Sequence, residues 1–363
     1  MAPSPTSPLR SRLLLAIASL VLALGLAEVA LRLMPPMGPE FVLAATIGDL
    51  NHTVFKDDVA LRVVLAPNVS TAGFSTNRLG IRGANIPTKQ PGEKRILSVG
   101  DSFTLGMQVR DEETFSALLD ESLGDSVRVL NAGVPGYGTE QAIGMMRRLV
   151  ESVQADAVLL TVYTGNDLRD NANWAQSPGM PSEPPTVVEA PPPERSGLVK
   201  ALARNSRIAA YLVMFSDLSR VEDDFRLAEF KDEVLPFAGR DHLKPLLPPT
   251  RSALSRFNEA CAELQVRCGV VLIPPAYVVH TDRLANTFEA FGLEPSLEHI
   301  QAPQRAIRGL IHSPTTVMDL TESLQENADE QPYLIFDPHF SAAGHKIAAT
   351  ALRDFAASLV SEQ

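Results

Sequence analysis

The hydrophobic pattern of this chain changes character three times. Leu13 to Leu31 is almost continuously apolar, with Glu28 its one charge. From residue 95 to residue 163, short apolar runs alternate with stretches of helical spacing. Ile96–Val99, Val127–Leu130 and Ala157–Tyr163 are brief runs of the kind that form buried strands. Between them, Phe115, Leu118, Leu119 and Leu123 repeat at helical intervals, and a second amphipathic stretch runs from Thr139 to about Val153. Strand, helix, strand, helix, strand predicts a parallel sheet with right-handed crossovers. The alternation stops at a Pro-rich segment, Gln176–Arg195, and charged helical pieces follow to Leu247. It resumes with a helix over about Ser252–Leu264, a strand at Val270–Ile273, a helix near Gln304–Ile311 and a strand at Val317–Leu320. A final amphipathic helix runs to about Leu359. Residues 176–250 therefore read as an insertion in an incomplete α/β sheet.

The N-terminal run approaches the ~20 apolar residues that cross a bilayer as a helix. Arg10 and Arg12 precede it, and Glu40 and Asp49 lie beyond its end. The positive-inside rule places such an N-terminus in the cytoplasm and the body of the chain outside. A cleaved signal peptide is the competing reading. Its apolar core is shorter, roughly 7–15 residues, and a small-residue cleavage site follows it. Ala27-Glu-Val-Ala30 is a poor site, so the pattern favours an uncleaved single-pass anchor. The expected organisation is a cytoplasmic N-terminus and transmembrane anchor over 1–34, a membrane-proximal arm over 35–90, and a main α/β domain over 91–363.

Bulk properties narrow the function. The chain has 363 residues, 45% of them hydrophobic and 21% charged, which suits a sizeable core. Its formal net charge of −11 argues against nucleic-acid binding, which calls for a basic face. Two cysteines, Cys261 and Cys268, do not make a metal site. Outside the cytosol they would suit a disulfide, and two buried thiols are the equal alternative.

The candidate chemistry sits at strand ends. Ser102 follows the first strand, Gly136 the second and Asn166 the third, and in a parallel sheet these ends share one edge. Asp337 and His339 arrive near the C-terminus. Acyl transfer needs a nucleophile, a base, a group that orients the base, and donors to a developing oxyanion. Ser102, His339 and Asp337 fill the first three roles. The backbone N–H groups of Ser102 and Gly136 and the Asn166 amide fill the fourth. Asp101 and Asp167 read as local hydrogen-bonding residues, and His345 as a packing residue. The motifs of α/β-hydrolase elbows, phosphate-binding loops and zinc proteases are missing.

Gly100-Asp-Ser-Phe-Thr104, Asn131-Ala-Gly-Val-Pro-Gly136, Gly165-Asn-Asp167 and Asp337-Pro-His339 resemble, in order, the four blocks of the SGNH (GDSL) hydrolases. The resemblance covers residues 95–175 and 250–360. It implies a flavodoxin-like three-layer α/β/α sandwich and ester or acyl hydrolysis without a cofactor. It also implies the same roles for Ser102, Gly136, Asn166, Asp337 and His339. Two positions depart from the usual pattern. Asp337 stands two residues before the histidine rather than three, as in the membrane-associated branch resembling alginate O-acetyltransferases. Thr164 stands where the third block usually has glycine. The anchor joined to this core looks like bacterial membrane-tethered members of the family. A membrane-bound serine esterase facing the periplasm or exterior is thus expected, acting on a small-molecule or glycan ester. The alternatives are an O-acyltransferase acting on an envelope glycan and a non-enzymatic envelope scaffold.

Overall fold

The structure, a computed structural model, describes residues 8–33, 54–71, 73–176, 197–218, 223–294, 299–334 and 338–361. The chain opens with helix α1 (Pro8–Leu33). Two small antiparallel hairpins follow, β1 (Phe55–Asp58) with β2 (Arg62–Leu65) and β3 (Ser70–Thr71) with β4 (Phe74–Ser75). Then come β5 (Lys94–Gly100), the short helix α2 (Ser102–Leu105), α3 (Phe115–Leu123), β6 (Val127–Gly133), α4 (Thr139–Val153), β7 (Ala157–Tyr163) and α5 (Asp167–Gln176). Beyond these lie α6 (Gly197–Asn205), α7 (Arg207–Leu218), α8 (Asp223–Ala238), α9 (Leu247–Glu263), β8 (Arg267–Ile273), α10 (Ala302–Arg308), β9 (Thr316–Asp319) and α11 (Ala342–Val360).

The chain divides into two compact units. One comprises residues 1–50 and 189–221, the other 51–188 and 222–363. The segment read as one insertion is therefore shared, with α6 and α7 in the first unit and α8 in the second. In the first unit, the Arg12–Arg32 stretch of α1 is long and apolar enough to cross a membrane, and none of it is fully buried.

The second unit is built on five parallel strands in the order β6-β5-β7-β8-β9. Expressed by succession in the sheet this is 2-1-3-4-5, the flavodoxin-like order, with its reversal between β5 and β7. The strands bury both faces, as parallel strands covered by helices must. Ile96, Val129, Leu159, Val271 and Ile273 lie in one apolar cluster with Phe115 and Leu119 of α3 and Ile347, Leu352 and Leu359 of α11. Side chains alternate across a strand, so the intervening Leu97, Val158, Leu160, Val270 and Leu272 face the other side. All of these are buried. The result is the three-layer α/β/α arrangement.

Several boundaries moved for local reasons. Strand β5 begins at Lys94 rather than Ile96, because Arg95 is buried in an ion pair with Glu93 at 2.7 Å and donates to the carbonyls of Val153 and Pro87. Helix α9 starts at Leu247 rather than Ser252, since Pro248 and Pro249 fall in its first turn, where proline is tolerated. Helix α10 ends at Arg308 before Gly309, and β9 is shifted one residue back, to Thr316–Asp319. Cys261 of α9 and Cys268 of β8 form a disulfide, with Gln265 in the left-handed conformation at the turn between them.

Candidate active site

Gly100 ends β5 with φ +155°. A side chain there would meet Thr104 Oγ1 at 2.4 Å and the Thr161 carbonyl at 2.9 Å, so only glycine lets the chain turn. Asp101 then caps α2, accepting the Phe103 N–H at 2.9 Å. Ser102 is the first residue of that short helix and is half-buried. Its hydroxyl is thereby set at the carboxyl end of β5, beside the point where the strand order reverses. Gly136, in the loop after β6, and Asn166, after β7, flank it at the ends of the two neighbouring strands.

A histidine reaches Ser102 from near the far end of the chain. His339 Nε2 lies 2.7 Å from Ser102 Oγ, across 237 residues of sequence. The loop carrying it is closed by pairing of Tyr333 with Phe340 and by the Leu334 N–H donating to the His339 carbonyl at 3.0 Å. The imidazole packs on the Phe103 ring with centroids 4.9 Å apart, and Phe103 stacks in turn on Tyr163 at 4.1 Å. Asp337 lies outside the described residues. Asn166 Oδ1 is buried and takes no hydrogen bond from a described residue.

Two buried carboxyl groups, Asp101 and Asp167, lie at the ends of the same strands, β5 and β7, and feel each other's charge. Asp101 is fully buried and Asp167 nearly so, at 0% and 2% exposure. Each uses one carboxylate oxygen to accept a backbone N–H, from Phe103 and from Tyr163. The other oxygen of each has no hydrogen-bond partner among the described residues. Burial raises the Asp101 carboxyl from its ordinary 3.8 to about 6, opposed by the nearby charge of His339 and by backbone N–H groups. Burial, then the charges of Asp101 and Asp170, push Asp167 well above the usual carboxylate range. His345 is buried in α11, and its Nδ1 accepts the Phe115 N–H at 3.2 Å. Burial, reinforced by the charges of Arg82 and His339, lowers it to about 3, so it stays neutral at ordinary pH.

Two supports of the site carry little sequence signal. Arg82 is 5% exposed. It donates to the carbonyls of Leu105, Gly106 and Val109 at 2.5–2.6 Å and to Asp111 at 2.8 Å. It thus holds the chain immediately after Ser102. Sequence reading leaves Arg82 within the membrane-proximal arm, because a lone arginine in a polar stretch does not announce burial. Asn131 belongs to the second motif, and its amide donates to the Thr104 carbonyl at 2.7 Å. Among the described residues, no three His, Cys, Asp or Glu side chains gather to hold a metal.

No protein-family model matches the chain, and no curated protein matches it. Solved structures do align with it. The crystal structure of TesA shares 12% identity over 74% of this chain and all of its own, with a TM-score of 0.39. The aryl esterase of M. smegmatis shares 15% over 74% of this chain and all of its own, with a TM-score of 0.38. A catalytic mutant of Axe2, an acetylxylan esterase from Geobacillus stearothermophilus, shares 14% over 75% of this chain and 96% of its own, with a TM-score of 0.39. Likeness at this level says nothing of what this chain acts on, so function has to be argued from its own residues.

Proposed function

We propose that this protein is a serine ester hydrolase of the SGNH type, anchored by α1 with its catalytic unit outside the cytoplasmic membrane. The observation that carries the reading is the 2.7 Å approach of His339 Nε2 to Ser102 Oγ at the carboxyl edge of a parallel sheet. A serine hydroxyl is a weak nucleophile until a base within hydrogen-bond reach takes its proton. In the proposed cycle Ser102 Oγ attacks the ester carbonyl and its proton passes to Nε2. His339 then protonates the departing alkoxide, leaving an acyl-serine. Water, deprotonated by the same nitrogen, releases the acid and restores the hydroxyl.

The base role requires the tautomer with the proton on Nδ1, and Asp337, two residues earlier, is assigned to hold it there. The Ser102 and Gly136 N–H groups and the Asn166 amide are assigned to the oxyanion. Their adjacency on three neighbouring strand ends supports this. Loss of one such donor typically raises the barrier by ~2.7–4 kcal/mol. A disulfide between Cys261 and Cys268, and Arg10 and Arg12 at the start of α1, agree with placement outside the cytosol.

Labelling with a fluorophosphonate probe and turnover of p-nitrophenyl acetate test the reading. Ser102→Ala and His339→Ala are expected to abolish labelling and reduce turnover by about three orders of magnitude or more. Labelling and ester turnover that are both unchanged in Ser102→Ala refute the proposed enzyme and leave an envelope scaffold. Acetylated sugar formed when oligosaccharide is added assigns the same residues to an acyltransferase.

A further inference from the structure

Glu28 is the only charged residue between Leu13 and Leu31, a costly residue to place in hydrocarbon. Its carboxylate is not left bare. Oε1 accepts the Arg207 N–H at 2.9 Å and Arg32 Nε at 2.8 Å. Oε2 accepts the Ile208 N–H at 3.1 Å and the Ser206 hydroxyl at 2.9 Å. Arg32 also donates to the Asn205 carbonyl at 2.8 Å. The leading N–H groups of a helix have no partner within it. Here an acid from another helix supplies one, so Glu28 caps the start of α7.

This contact fixes a depth. Glu28 precedes Arg32, where the apolar stretch ends, by four residues, or about 6 Å at 1.5 Å per residue. A helix whose first turn is bonded to Glu28 begins at that boundary. Beyond its first residue, α7 runs Ile208-Ala-Ala-Tyr-Leu-Val-Met-Phe215 without a polar position other than the tyrosine hydroxyl. At 12 residues it spans ~18 Å, too short to cross a hydrocarbon core of ~30 Å. Leu212 is 65% exposed. On α6, Leu198 and Leu202 are 70% and 53% exposed and, four residues apart, share one helix face. Leu24 and Gly25 of α1 line one groove with Ile208, Ala209 and Leu212, so the apolar surface of α7 continues that of the anchor.

We propose that α6 and α7 form a hairpin seated in the bilayer boundary at the Arg32 end of α1, with lipid hydrocarbon covering Leu198, Leu202 and Leu212 and Glu28 as its joint to the anchor. This rests on the reading of α1 as a membrane anchor. The hairpin makes the first unit a lipid-facing body of three helices rather than a single tether.

The full chain, reconstituted in phosphatidylethanolamine–phosphatidylglycerol vesicles, tests it. Cys261 and Cys268 are bridged, so single cysteines placed at Leu20, Leu202, Leu212 and the exposed Val59 take a fluorescent label selectively. Lipids spin-labelled near the top of the acyl chain quench only a label that lies in hydrocarbon. Labels at positions 202 and 212 are expected to quench several-fold more than the label at 59. Quenching at 20 but not at 202 and 212 overturns the hairpin and leaves the anchor standing. If 202 and 212 also resist aqueous iodide without lipid quenching, protein rather than lipid covers them, and the inference is rejected. An unquenched label at 20 removes anchor and hairpin together. In Glu28→Gln, quenching at 212 is expected to fall while that at 20 is kept; unchanged quenching at 212 removes Glu28 from the joint.

Discussion

Replacing Asp101 by Asn isolates the electrostatic cost of the buried acid next to Ser102. The amide keeps the oxygen that accepts the Phe103 N–H and removes the charge. In the folded protein the carboxyl titrates at about 6 against an ordinary 3.8. A difference of about two units, at 1.36 kcal/mol each, is about 3 kcal/mol. Because the folded pKa is the higher one, the folded state holds the extra proton between roughly pH 4 and 6. Stability from this group is thus full below about pH 4 and lost as pH rises through about 6. Relative to wild type, Asp101→Asn should therefore gain about 3 kcal/mol between pH 4 and pH 8. Any misfit of the amide is present at both pH values and cancels in that comparison. His339 and Asp167 face the same carboxyl. Relief of Asp167 by the lost charge stabilises the variant in the same direction. Trp174, the chain's single tryptophan, lies in the same compact unit as Asp101. Urea unfolding of the detergent-solubilised chain, followed by its fluorescence across pH, supplies the measurement. Stability curves of the two proteins that stay parallel within about 1 kcal/mol from pH 4 to pH 8 would refute the burial argument.

Two further outcomes are expected by the same readout. Arg82→Met leaves the carbonyls of Leu105, Gly106 and Val109 and the Asp111 carboxylate without their donor. It should cost ~3–5 kcal/mol of stability and lower ester turnover by loosening the chain after Ser102, and a loss under about 1 kcal/mol would contradict the positioning role. Joint replacement of Cys261 and Cys268 by Ser opens a loop of sequence separation 7 and should cost about 2–3 kcal/mol, seen as a lower urea midpoint. An unchanged midpoint would show that the bridge adds nothing to the turn that already joins α9 to β8.

The parallel sheet was legible because its strands are apolar on both faces. Ala157–Tyr163 is buried at every position and stood out as a run. Where burial depends on pairing of charges, the pattern fails. Lys94 and Arg95 look like solvent residues, yet Arg95 is 3% exposed because Glu93 neutralises it. The hairpins β1–β2 and β3–β4 escaped notice because Phe55-Lys-Asp-Asp58 has no alternation to read. Ser102 and His339 were found through spacing and strand context, and their adjacency through the chemistry that needs both. Asp101 reads in the sequence as a local hydrogen-bonding residue, and in the structure it caps α2. Its buried unpartnered oxygen is a property of the strand ends around it, and no local sequence rule encodes that.

On the proposed reading, nucleophile and base are delivered far apart in synthesis. Ser102 leaves the ribosome 237 residues ahead of His339. By then the strands that carry it have long been available to fold, since assembly proceeds from the N-terminal side. Until the loop bearing the imidazole closes through Tyr333 and Phe340, with α11 packed behind it on α3, the hydroxyl has no base. A nascent or C-terminally clipped molecule would then present the serine but remain inert, and the proposed hydrolytic competence would be tied to completion of the second unit.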